Sequence, residues 1–132
     1  MISFEHNGSQ YLNFTPEEAR AAGVPENVIL AAESSVRRKL VSAECRRRIY
    51  DAASAEAQMN MATAVAVISG KAEADRSADD SMVLDGARLA LAWVADMRAA
   101  FEALAADPSA DFLSDAAWPA LPPEVLPMIE RF

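Results

Sequence analysis

The sequence predicts a mainly α-helical protein with a β-hairpin at its start and a proline-rich, extended tail at its end. Three observations predict it. Of the 132 residues 29 are Ala, while aromatics make up only 7%. No Pro or Gly interrupts the chain from Glu26 to Ser69. Five of the seven prolines, Pro108, Pro119, Pro122, Pro123 and Pro127, follow Asp107. The expected organisation is a hairpin docking segment over 1–14, a helical domain over 15–106 and a tail over 107–132, with enough chain for one core rather than two domains.

Met1 to Phe14 alternates apolar and polar residues around Asn7-Gly8, a strong hairpin signal. Two registers are available. A two-residue turn pairs Phe4 with Tyr11 and leaves Leu12 and Phe14 on the face opposite Ile2 and Phe4. A three-residue loop, Asn7-Gly8-Ser9, pairs Phe4 with Leu12 and Ile2 with Phe14, which puts all four on one face and is preferred for that reason. An isolated two-stranded hairpin is marginal in water, so this one is expected to dock on the helices.

Thr15-Pro16-Glu17-Glu18 is a capping box with Pro at the first helical position, and it starts a short helix that Gly23 closes. Val24-Pro25 then redirects the chain into a long helix from Glu26 to Ser69, with Gly70 as its stop; the pattern also tolerates a break inside so long a run. Read at steps of four and three, Ile29, Glu33, Val36, Leu40, Ala43, Arg47, Tyr50, Ser54, Ala57, Met61, Ala64 and Ile68 form a seam. Glu33, Arg47 and Ser54 interrupt it, and small Ala fills three places, so helices could approach closely along it. Two partners fit the stripe: the next helix of the same chain, or another copy. For a self-interface the candidates are Val36, Leu40, Ala43, Arg47, Tyr50, Ala57, Met61, Ala64 and Ile68. Gln58 and Asn60, amides in an otherwise apolar turn, are candidates for fixing register across subunits.

Lys71 to Asp80 reads as a solvated linker ending in the N-cap candidates Asp79, Asp80 and Ser81. Val83, Ala87, Ala90, Val94, Met97, Phe101 and Leu104 then recur at helical spacing up to Asp107-Pro108, giving a third helix antiparallel to the long one, with Trp93, Met97 and Phe101 in the core. The tail keeps Trp118, Leu121, Val125, Met128, Ile129 and Phe132, which is unlike a disordered segment. It is expected to lie extended over a neighbouring surface, with a helical turn after Pro123.

Charge and rare residues narrow the chemistry. Twenty acidic against 12 basic residues give a net charge of -8, which argues against nucleic-acid binding driven by bulk positive charge. A single Cys and a single His argue against a disulfide framework, a Cys-based zinc site and any two-histidine motif. Cys45 lies beside Arg46, Arg47 and Arg48, cations that lower a thiol pKa, yet the only His is far away at position 6, so a structural thiol is expected. Three consecutive arginines on a helix point in three directions, and ion pairs with Glu33, Glu44 and Asp51 are expected of them. Glu73, Asp75, Asp79, Asp80 and Asp85 lack the spacing and the glycine of a calcium loop. No catalytic, cofactor or metal residue is therefore expected. The opening residues have neither the basic start nor the apolar block of a secretory signal, and Ala57 to Gly70 is too short and polar to span a bilayer.

The run from Thr15 through Pro25 with Val28-Ile29 resembles the start of small tail-region proteins of tailed bacteriophages and prophages. The blocks Glu44 to Tyr50, Gln58 to Met61, Ala92-Trp93 and Met97-Arg98 are similar to the same proteins, and the resemblance covers most of residues 12 to 118. It implies a tail-fibre or tail-assembly accessory protein without enzymatic activity, made in the host cytoplasm and carried in the virion. Its expected partners are other tail or fibre subunits and further copies of itself, a trimeric bundle being favoured. The charge supports one alternative, a small acidic phage-encoded inhibitor of a host defence or nucleic-acid-binding protein.

Overall fold

The computed structural model describes residues 1–132. The protein is mainly helical, with one antiparallel hairpin at its start. Strand β1 (Ile2–His6) pairs with β2 (Ser9–Phe14). The turn is the two-residue one: Asn7 and Gly8 have φ of 50° and 75°, and the pairs behind them are His6 with Ser9, Glu5 with Gln10 and Phe4 with Tyr11. That corrects the preferred three-residue loop, and Leu12, expected opposite Phe4, is 63% exposed. Ile2 does face Phe14, because the extra residue sits in a bulge of β2 rather than in the loop. Asn13 takes φ 57° there and its N–H donates to Ser3 Oγ at 3.0 Å. The tight turn matches the strand twist, and the bulge returns Phe14 to the apolar face. Tyr11 stacks on Phe4 at 4.9 Å and meets Phe14 edge-on at 5.4 Å.

This face docks on α1 (Pro16–Ala21) and α2 (Glu26–Ala52), where Ile2, Ala19, Val24, Ile29 and Ala32 form one core cluster. The capping box forms in full: Thr15 Oγ1 accepts from the Glu18 N–H, and Glu18 Oε2 accepts from the Thr15 N–H at 2.8 Å. Gly23, at φ 79°, turns the chain, and the Val24 N–H reaches back to the Ala19 carbonyl at 3.0 Å.

The long run is two helices. At Ala53 the backbone becomes extended, with φ -147° and ψ 120°, and α3 (Ala55–Ser69) begins afresh. Ser54 caps it by accepting from the Ala57 N–H at 3.1 Å. The Gln58 amide donates to the Ala53 carbonyl at 2.8 Å, so the break keeps its hydrogen bonds without Pro or Gly.

After a 3-10 turn over Glu73–Asp75, α4 (Ala78–Ala106) runs back along both pieces. Its cap is Ser77, in a capping box with Asp80, ahead of the residues the sequence suggested. Against α2, α4 packs antiparallel: Arg37 lies at Leu104, and the Cys45 thiol donates to the Met97 carbonyl. Val41, Cys45, Trp93, Met97, Leu104, Ala105 and Trp118 make the second core cluster, with Phe101 partly buried beside it. Against α3, Met61 joins Ala53, Val125 and Met128 in the third.

The tail is laid over this frame. Trp118 is buried and its indole N–H donates to the Phe112 carbonyl at 2.8 Å, while Trp93 donates to the Pro119 carbonyl at 3.0 Å. After Pro123 a 3-10 turn passes into the short α5 (Leu126–Ile129), which seats Met128 on α4. No helix is long and apolar enough to cross a membrane.

Candidate interaction site

The break at Ala53 decides how the apolar surface is divided. An unbroken helix would present the seam to one partner. Instead α2 buries a stripe one residue over, Val41, Glu44 and Cys45, and leaves Leu40, Ala43, Arg47 and Tyr50 exposed; Val36 is half-buried against the hairpin cluster. In α3 the seam turns inward, with Ala57, Met61 and Ile68 buried within the chain and Ala64 half-buried. Gln58 is tied to the break, whereas Asn60 stands in solvent.

The outer side of α3 carries Met59, Thr63, Ala66 and Val67, all exposed, with Met59 at 70% and Val67 at 63%; Ala62 borders it on the side of the apolar cavity between the helices. No residue from Ala57 to Gly70 is charged. In a chain of net charge -8, this is a helix face whose fixed charge is confined to Glu56, in the first turn of α3.

Between α2, α3, α4 and the tail lies a cavity of about 330 Å³, with 15 of its 16 lining residues hydrophobic and Gln58 as the exception. Ile49, Met61, Leu91, Val94, Val125 and Ile129 form much of its wall, and Ala52, Ala53, Ala87 and Ala90 leave the space. A shallower recess with a polar rim adjoins it, sharing Ile49, Gln58 and Val94 and adding Arg46, Arg98, Tyr50 and Glu102.

Most cations are engaged inside the fold. Arg47 and Arg48 both hold Glu44, and they extend to Asp51 and Asp115. Arg38 grips Glu102 through two hydrogen bonds of 2.7 and 2.8 Å and lies over the Phe101 ring. Arg37 forms no ion pair; it donates to the carbonyls of Leu104, Pro108 and Ala110, closing the end of α4. Glu33, expected to pair, does not, because the arginines reach across to α4 and the tail instead. Arg46 only leans on Tyr50, 5.2 Å from the ring centroid, and Arg98 has no carboxylate partner. In the acidic run, Asp79 pairs with Arg131, Asp80 with Lys71 and Asp85 with Arg88.

Cys45 shows how burial outweighs neighbouring sequence. Its thiol is pushed up from the usual value by burial, which outweighs the opposing charge of Arg98. The flanking arginines Arg46, Arg47 and Arg48 point elsewhere. No three His, Cys, Asp or Glu side chains converge as a metal site would require.

The cavity was not visible in the sequence. Its wall comes from four segments, and the readable signal was only an excess of Ala at facing turns, which says that helices are close and not that a gap remains. Nothing in the sequence sets Arg98 apart from the other arginines; its lack of a carboxylate partner is a property of the fold.

Compared with models of known protein families and with curated proteins, the chain matches none.

Proposed function

We propose that the chain is a non-enzymatic assembly protein of a bacteriophage tail or tail fibre, acting as a homo-oligomer, with a trimer favoured, in contact with other tail subunits of the virion. The tail assignment rests on the resemblance of the Thr15–Pro25 run and the Glu44–Tyr50 block to small phage tail proteins. The observation that carries self-association is the outer face of α3 beyond Glu56, uncharged from Met59 to Val67, with both of those residues in solvent. Copies of an acidic chain repel one another, so the surface they share is best placed where few carboxylates must be desolvated, and on this face Glu56 alone, at the helix start, is one. Small Ala62 and Ala66 allow close helix approach, and Asn60 at the edge can hydrogen-bond across copies to fix register.

On this reading the shared surface is the outward side of α3 and not Met61 and Ile68, which are buried within the chain. The test is solution mass by light scattering during size exclusion, over a range of concentrations. The expected result is a stable oligomer that Val67→Glu or Met59→Glu converts to a monomer with unchanged helix content. A wild-type chain that stays monomeric at all concentrations, or an oligomer indifferent to both substitutions, overturns this reading.

A further inference from the structure

The apolar cavity and the recess beside it differ in kind and share a wall. The first is almost wholly hydrophobic and, at about 330 Å³, falls at the small end of ligand-sized pockets. The second exposes two guanidiniums with no carboxylate partner, Arg46 and Arg98. In a chain with eight more acidic than basic residues, seven of the ten other cations are held in ion pairs, and of the unpaired ones only these two line this recess. Glu102, the acid on the same rim, is already committed to Arg38.

We propose that this composite site binds a medium-chain aliphatic carboxylate, its hydrocarbon chain in the cavity and its carboxylate between Arg46 and Arg98. Moving methylenes from water into a space lined by Ile49, Leu91, Val94 and Val125 supplies affinity in proportion to the area covered. The two cations supply orientation, because guanidinium groups match a carboxylate in shape and charge. Gln58 sits at the junction of both spaces, though its amide is held by the Ala53 carbonyl, so it marks the boundary rather than the ligand's head. Charge complementarity favours this occupant over a neutral or cationic amphiphile.

The experiment is calorimetric titration of the full chain with decanoate, kept below its micellar concentration, and with decanol as the uncharged counterpart. Tryptophan emission is followed in parallel, since Trp93 lines the cavity. Decanoate is expected to bind saturably, one per chain, and more tightly than decanol. Arg46→Gln and Arg98→Gln, both at exposed positions, should each weaken decanoate about tenfold, as expected for losing a charge-assisted hydrogen bond, and leave decanol unaffected. Ala90→Phe, with its fold checked by circular dichroism, should fill the space and weaken both ligands. Three results overturn the proposal: no saturable decanoate binding, as when a second copy or a partner covers the groove; equal affinity for decanol; or decanoate affinity unchanged in both arginine variants.

Discussion

Glu44 is 9% exposed, the one charged side chain buried to that degree, and its place depends on two guanidiniums. Hydrogen bonds from Arg47 lower its carboxyl below the ordinary glutamate range; burial works in the opposite direction, and Arg48 adds to the lowering. Arg47 is more than half exposed and therefore screened, so the enclosed contact with Arg48, 14% exposed, is the more durable one. A folded-state pKa below the unfolded value means that this stabilisation is present above the unfolded pKa of about 4.3 and is lost as pH falls through the depressed value. Glu44→Gln should therefore cost about 1–2 kcal/mol at neutral pH. Thermal melts of wild type and variant should converge as the pH is lowered through that acid range. A gap that is constant with pH would mean that the side chain acts by packing and not by charge. The sequence placed Glu44 beside its arginines correctly but could not show it buried, since three adjacent arginines look alike until α4 and the tail select among them.

Elements whose ends are set by near neighbours were mostly legible, the hairpin turn and the Ser77 cap excepted, and those set by distant ones were not. The Thr15–Glu18 capping box, the Gly23 turn and the helical turn after Pro123 follow from chemistry within a few residues. The break at Ala53 follows from packing: Ala53 is buried with Met61, Val125 and Met128, and the last two belong to a segment far along the chain. Ser54 and Gln58 make the break affordable, but Ser and Gln in an Ala-rich run do not announce it. The same remote packing shows at Gly86, buried in the middle of α4. A Cβ there would lie 2.8 Å from the Met128 sulfur and 3.3 Å from its Cβ. Ala is preferred to Gly inside a helix by about 1 kcal/mol. Overpacking costs about 1–3 kcal/mol, and Met128, 2% exposed, has little room to yield. Gly86→Ala is accordingly expected to lose about 1 kcal/mol net and to speed proteolysis of the tail, read by limited digestion beside a thermal melt. A stabilised variant with an unchanged digestion pattern would mean that the tail shifts freely on α4.

For the whole molecule, the distribution of charge matters more than its sum. The negative excess lies chiefly on α4 and the tail after it, while α2 carries six basic against four acidic residues and the outer face of α3 bears no charge beyond Glu56 in its first turn. Two copies meeting along α3 gain apolar contact there and bear the repulsion of their remaining charges at longer range. Raising the ionic strength shortens the screening length from about 10 Å at 0.1 M to about 3 Å at 1 M, which removes much of that repulsion and leaves the apolar contact in place. Self-association should therefore tighten as salt is added, with the dissociation constant from light scattering falling between these two conditions. An acidic inhibitor held to a basic partner by charge would behave in the opposite way and release its partner as salt rises. A self-association that weakens with salt would place charged pairs at the interface, moving it from α3 to the arginine-bearing exposed face of α2 around Leu40, Arg47 and Tyr50. The sequence seam had joined those two surfaces into one; because the helix breaks at Ala53, they are separate surfaces whose salt responses differ in sign.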